Sequence, residues 1–244
     1  MKLCLAGVES VYQDVRPDTV NIPFVLQSYY YVAKWQLPHI KNYDLFLLDS
    51  GAFSFMNSNL GHVNIDEYLD GYIDFINKHD IKYFFELDID SVVGLEEVER
   101  LRKKLEDGTR KKCIPVWHFS RGKDYFIKMC QEYDYVAFGG IITDGVSYKE
   151  ILKYLPWFVK TAHQYGAKIH GLGLTCKGVE KFGLDSVDST SWKTASRFGS
   201  FYKFTGSEMV NISPKTRRMK KSKYIEVERN NLYEWIKYQK YLDA

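Results

Sequence analysis

Acidic residues, glycines and one histidine stand repeatedly at the ends of short apolar runs. Asp49 ends one in LLDSGAFSF, Asp88 and Asp90 another in ELDID, and His118 a third in PVWHFSRG. Gly139 and Gly140 follow in YVAFGGI, Gly171 and Gly173 in KIHGLGLT, and Asp185 and Asp188 in GLDSVDSTSW. Each residue alone also fits ordinary turn chemistry after a strand. Together they are more informative. Several carboxylates on one rim repel one another unless a substrate or a proton relieves them. Paired carboxylates suit reaction at an anomeric carbon, one as nucleophile and one as acid/base. The histidines show no HxH or HExxH spacing, and the four cysteines (Cys4, Cys113, Cys130, Cys176) form no CxxC pair. No metal site and no disulfide framework is therefore expected.

The elements that must position these groups follow from the same runs. Apolar stretches at 2–7, 44–51, 82–90, 113–118, 135–140, 168–174, 186–190 and 201–206 read as strands buried on both faces. Helical spacing fills the intervals. Residues 64–79 carry Ile65, Tyr68, Leu69, Tyr72, Ile73 and Ile76, with Asn64 as N-cap and Glu67 three residues on. Residues 94–107 and 147–165 are amphipathic, and Pro156 predicts a kink or break in the second. A terminal helix is expected at 231–242. Strands alternating with helices imply parallel βαβ units. Eight strands favour an α/β fold of the (β/α)8 TIM-barrel type over a doubly wound sheet, with irregular last β/α units because those strands are closely spaced. Functional groups then sit at the C-terminal ends of the strands.

The 244 residues fit one barrel domain spanning 1–244. A composition of 45% hydrophobic and 27% charged residues excludes disordered, collagen and coiled-coil classes. The opening MKLCLAGVES is too soon polar for a signal peptide, and no apolar run reaches the roughly 20 residues of a membrane span. A cytoplasmic protein with no membrane partner is expected.

The rim motifs resemble the tRNA-guanine transglycosylase superfamily. LLDSGAF is similar to its DSGGF element, ELDI to its L-D-I element, AFGGI to its G-G-L turn, HGLGLT to its H-x-x-G-x-G strand, and FGLDSVDSTSW to the element carrying the nucleophile. They occur in family order over residues 44–200. The resemblance implies that Asp188 attacks C1′ of a guanosine-type nucleotide and forms a covalent glycosyl-enzyme intermediate. It implies that Asp49 is the general acid/base. Asp88 would accept hydrogen bonds from the Watson–Crick edge of the base. Gly139 and Gly140 would let backbone approach the base plane, and Ser50 would add a hydrogen bond beside Asp49. His118 stands where the family often has a base-contacting Gln. Asp185 would support the site from outside, and Asp90 has no counterpart. No cofactor is implied: the family's zinc-binding cysteine cluster does not follow Asp188. With no added RNA-binding domain either, the chain looks more like the phage and bacterial 7-deazaguanine DNA transglycosylases. The implied pentosyltransferase exchanges guanine for a 7-deazaguanine base in DNA, in the host cytoplasm if phage-encoded, and a homodimer or partner subunit is in keeping with a family that often dimerises.

KTRRMKKSK at 215–223 supplies the partner expectation. Its six basic residues, Lys215, Arg217, Arg218, Lys220, Lys221 and Lys223, form a phosphate-binding strip in a chain whose net charge is only +3. Such a strip fixes register and cannot distinguish DNA from RNA. Phe53, Phe55, Trp117 and Trp192 are candidates to stack on an extruded base, although each also fits core packing. Three alternatives remain open: a tRNA-guanine transglycosylase, a nucleoside or glycoside hydrolase, and a non-catalytic nucleic-acid-binding relative.

Overall fold

The computed structural model describes residues 1–58, 64–139, 148–212 and 221–244, with backbone alone at 53, 57, 148–150 and 221. Eight parallel strands form the central sheet: β1 (Lys2–Leu5), β2 (Phe24–Ser28), β3 (Leu45–Asp49), β4 (Tyr83–Phe84), β5 (Val116–Trp117), β6 (Tyr135–Phe138), β7 (Lys168–Gly171) and β8 (Ser186–Ser189). Except between β4 and β5, each pairs with its sequence neighbours, and β8 returns to β1 with Cys4 opposite Asp188. A parallel bridge between Phe85 and Ile114 joins the β4 and β5 sides. Ile114 N–H donates to Phe84 O at 2.7 Å and Glu86 N–H to Ile114 O at 3.1 Å. The ring is thereby closed as a (β/α)8-type barrel.

The eight strands are not quite the eight expected. The run at 201–206 is not a barrel strand. Phe201–Phe204 (β9) pairs antiparallel with Met209–Ile212 (β10) in a separate hairpin. The missing strand is FVLQS, β2, between two segments that form 3-10 helices. Irregularity also falls mainly elsewhere. The first two crossovers contain only 3-10 helices, at Val8–Ser10, Gln13–Asn21, Tyr29–Tyr31 and Lys34–Asn42. Pro17 and Pro38 lie inside the longer two and each removes a helical N–H. The β7–β8 crossover likewise has only Val179–Phe182.

The α-helices are α1 (Ala52–Ser58), α2 (Ile65–His79), α3 (Asp90–Val93), α4 (Leu95–Thr109), α5 (Gly122–Glu132), α6 (Tyr148–Gln164), α7 (Ser191–Arg197) and α8 (Lys221–Asp243). Asn64 caps α2 as expected, its Oδ1 accepting Glu67 N–H at 3.2 Å. No break occurs at Pro156. Helix α6 runs through it, with Ile151, Leu155, Phe158 and Ala162 buried against the sheet. Helix α8 begins ten residues before the expected start at 231. It packs on β1, α7 and β9. Strands β1 and β2 share one paired register position, Leu5 with Val25. The fully buried Gln239 of α8 reaches into that seam and donates to Leu3 O at 2.6 Å and Phe24 O at 2.8 Å. Buried carbonyls that the ladder leaves open are thus satisfied.

Alternation along each strand divides barrel interior from outer layer. Cys4, Phe24, Leu26, Leu45, Leu47, Phe85, Ile114, Val116, Tyr135 and Ala137 pack together as the interior. The same period carries Ser28, Asp49, His118, Gly139, His170 and Asp188 inward. No helix among the described residues is long and apolar enough to cross a membrane.

Candidate functional site: carboxylates at the barrel mouth

Asp49 is the last residue of β3, two positions beyond the inward-facing Leu47, and sits in register with Ser28 of β2. The chain then turns sharply at Gly51, whose φ is +65° and whose missing Cβ would collide with Ser28 and Tyr30. That turn brings the Gly51 N–H onto Asp49 Oδ2 at 3.0 Å. Burial pushes the Asp49 carboxyl up to about 6, and the neighbouring carboxylates of Asp88 and Asp188 push it the same way. The Gly51 N–H and Ser28 pull against them. The three acids expected to act together therefore do share one mouth.

Asp188, on β8, is 8% exposed. Its Oδ1 accepts the Gly173 N–H at 2.7 Å and lies 3.3 Å from His170 Nε2. His170 is fully buried on β7, with Nδ1 2.5 Å from Ser186 Oγ, and Ser186 Oγ bonds in turn to the Tyr135 hydroxyl. HGLGLT carries part of the family resemblance, yet that resemblance assigns His170 no role. The signal was present: a histidine one residue before a strand's end, on the period that faces the interior.

Asp88 and His118 meet across the mouth, with Oδ1 and Nε2 2.5 Å apart. His118 also lies 3.9 Å from Asp90 Oδ1. Gly139 serves this pair: a Cβ there would fall 2.6 Å from Val116 Cγ1 and 3.3 Å from the His118 ring. Behind them runs a buried chain of alternating charge. Arg121 Nε donates to Asp90 Oδ2 at 2.9 Å and its Nη1 to Glu86 Oε1 at 3.1 Å. Arg102 Nε lies 2.7 Å from Glu86 Oε2. Burial pushes the Glu86 carboxyl up, and the two guanidiniums pull it back. Glu86, Arg102 and Arg121 were not singled out as site residues. An acid inside the apolar run YFFEL required a buried cation, but nothing local named which.

Other expected residues stand elsewhere. Ser50 is buried and its Oγ accepts the Ala52 N–H at 3.4 Å, which turns it to the start of α1. Its carbonyl accepts the Tyr68 hydroxyl at 2.6 Å. Asp185 precedes β8, at the opposite end of the strand from the mouth, where it accepts the Ile169 N–H at 2.8 Å and faces His163. Trp117 and Trp192 are core residues, 1% and 0% exposed, and their indole N–H groups are satisfied by Gly122 O and Ala6 O. Phe55 stacks on Tyr68 with ring centroids 4.0 Å apart. Burial, and Asp49 nearby, push the Tyr68 phenol up. Gly140, the Phe53 side chain, Lys215, Arg217, Arg218, Lys220 and the Lys221 side chain lie outside the described residues. Lys223 pairs with Glu226 at 2.7 Å.

Among the described residues, Asp88, Asp90 and His118 are the group that could hold a metal ion, their ligand atoms lying within 4.8 Å of one another. The Arg121 guanidinium on Asp90 competes with a cation there. A separate cavity of about 530 Å³ lies outside the barrel wall between Thr175, Glu208, Trp235 and Tyr241, and contains none of the candidate acids.

No protein-family model matches the sequence, and no curated protein is similar to it. Among solved structures the chain superposes on one titled "QR15, an Aldolase", at 12% identity and a TM-score of 0.49. That match covers 78% of this chain and 89% of the other.

Proposed function

We propose that this protein is a nucleic-acid guanine transglycosylase that exchanges guanine for a 7-deazaguanine base in DNA. The observation that carries this reading is the arrangement of Asp49 and Asp188 in one mouth, the first pushed up to about 6 and the second held by the Gly173 N–H. A carboxyl near neutrality gives and takes protons at working pH, while the hydrogen bond to Asp188 holds its carboxylate in place for attack.

In the first half-reaction an oxygen of Asp188 forms a bond to C1′ of the target nucleotide. The C1′–N9 bond breaks, its electron pair goes to the departing guanine, and Asp49 supplies the proton. In the second, the incoming 7-deazaguanine gives its ring N–H proton to Asp49 and its nitrogen bonds to C1′. The C1′–oxygen bond breaks and Asp188 returns as carboxylate. Asp88, fixed by His118, accepts from the Watson–Crick edge of the base, where guanine offers two adjacent donors, N1–H and N2–H, and adenine and the pyrimidines do not. The acids do this without a metal or cofactor. The strip at 215–223 binds the phosphates of the polymer, and the reacting base must be unpaired or flipped out of the stack.

Exchange of labelled guanine, assayed side by side on DNA, tRNA and free guanosine, tests the reading. Exchange into DNA alone supports it. Exchange confined to tRNA moves the polymer assignment, and hydrolysis of free nucleoside favours a hydrolase.

A further inference from the structure

His170 is a buried histidine that the reaction above does not use, yet it touches the nucleophile. Its partners fix its tautomer. The Tyr135 phenol is pushed up by burial, so it keeps its proton, and Ser186 Oγ is its one partner among the described residues. The chain therefore starts at Tyr135. Its O–H donates to Ser186 Oγ, and the Ser186 O–H donates to His170 Nδ1. A neutral ring then carries its proton on Nε2, the atom facing Asp188 Oδ1. The reverse order would aim a bare ring nitrogen at a carboxylate oxygen and leave the Tyr135 proton without an acceptor.

Asp188 Oδ1 thus takes two donors, Gly173 N–H and His170 Nε2–H, and among the described residues Oδ2 takes none. Oδ2 is the free oxygen, so it forms the bond to C1′. We infer that His170 is a positioning residue that shortens the life of the covalent intermediate by stabilising Asp188 as the leaving carboxylate. This rests on the transglycosylase reading. In the glycosyl ester, Oδ1 is the carbonyl oxygen. As the incoming nitrogen bonds to C1′, the C1′–Oδ2 bond breaks and its electron pair spreads over both oxygens of Asp188. Hydrogen bonds to Oδ1 strengthen as that charge returns. In the first half-reaction the same bonds weaken as charge leaves. Loss of the His170 donor therefore slows release of the sugar without slowing attack on it.

The test is the fraction of enzyme held as covalent adduct during steady exchange, read on a denaturing gel with a labelled oligonucleotide and excess 7-deazaguanine base. His170→Phe keeps an aromatic ring without the donor and is expected to slow exchange roughly tenfold, the effect of one charge-assisted hydrogen bond, while the adduct fraction rises. Tyr135→Phe leaves the ring in place and frees Ser186 to turn away, so it shifts the adduct fraction the same way by less. It carries the test alone if His170→Phe does not fold. His170→Gln restores a donor and returns the fraction toward the wild-type value. A purely structural role would lower activity and adduct together. An adduct fraction in Tyr135→Phe and a folded His170→Phe that is unchanged or lower than wild type overturns the inference and leaves the transglycosylase reading standing. Failure of the wild-type protein to form adduct with DNA or tRNA overturns both.

Discussion

Nε2 of His118 stands 2.5 Å from Oδ1 of Asp88, a contact made possible because Gly139 has no Cβ to displace the ring. The histidine fixes the orientation of the carboxylate to which the proposed reaction gives recognition of the base. Asp88→Asn replaces half of that acceptor face with a donor. It is expected to lower exchange of guanine by 10²-fold or more while relaxing discrimination between bases. Competition between guanine and adenine in the exchange assay measures this. Unaltered selectivity would remove Asp88 from base recognition. A chelator should leave the rate unchanged; its loss would instead assign Asp88, Asp90 and His118 to a metal ion.

Asp49 carries a stability cost that follows from its environment. Its pKa rises from 3.8 to about 6 on folding, so the folded state binds the proton more tightly than the unfolded chain. Stability therefore falls as pH rises from about 4 to about 6 and stays reduced above that, by ~3 kcal/mol at ~1.4 kcal/mol per pH unit. Asp49→Asn removes this cost. The variant should match the wild type near pH 3 and exceed it above pH 6 in urea unfolding. Exchange should fall by roughly 10²–10⁴. A stability difference independent of pH would contradict the raised pKa.

The buried chain behind the site predicts a different outcome. Glu86 is fully buried between Arg102 and Arg121. Glu86→Gln leaves Arg102 without a carboxylate and weakens the hold on Arg121, which retains Asp90. The expected loss is roughly 3 kcal/mol of stability, since breaking a buried pair strands a charge. Urea titration at neutral pH measures it, and a loss under 1 kcal/mol would show the network to be replaceable.

These residues also show what the sequence could reveal. Asp49 and Asp188 were legible because the strand period sends each inward, and Asp88 because it follows the apolar run that begins in β4. Strand β2 was not, because FVLQS lies between proline-bearing segments that form 3-10 helices. FYKF of β9 has the composition of a barrel strand, and only its pairing with Met209–Ile212 separates it from one. Glu86 finds its partners 16 and 35 residues away, and His170 finds Ser186 at a distance of 16. Such contacts depend on closure of the barrel, and no local pattern records them.

The basic stretch at 215–223 predicts the salt dependence of polymer binding. Each phosphate contact contributes a slope of about 0.9 in log affinity against log salt on duplex DNA. Neutralising Lys215, Arg217, Arg218 and Lys220 together should flatten the slope by up to about 3.6. Lys223, already paired with Glu226, should contribute less. A slope that does not change would place the phosphates elsewhere.

Nucleophilic attack by Asp188 is the central claim, and one measurement addresses it directly. Protein mixed with labelled DNA and with tRNA, in the absence of incoming base, is denatured and resolved on a gel. The wild type is expected to carry a labelled covalent band on DNA, and Asp188→Asn to carry none and to exchange no labelled guanine. A variant that still exchanges guanine at the wild-type rate would contradict the account.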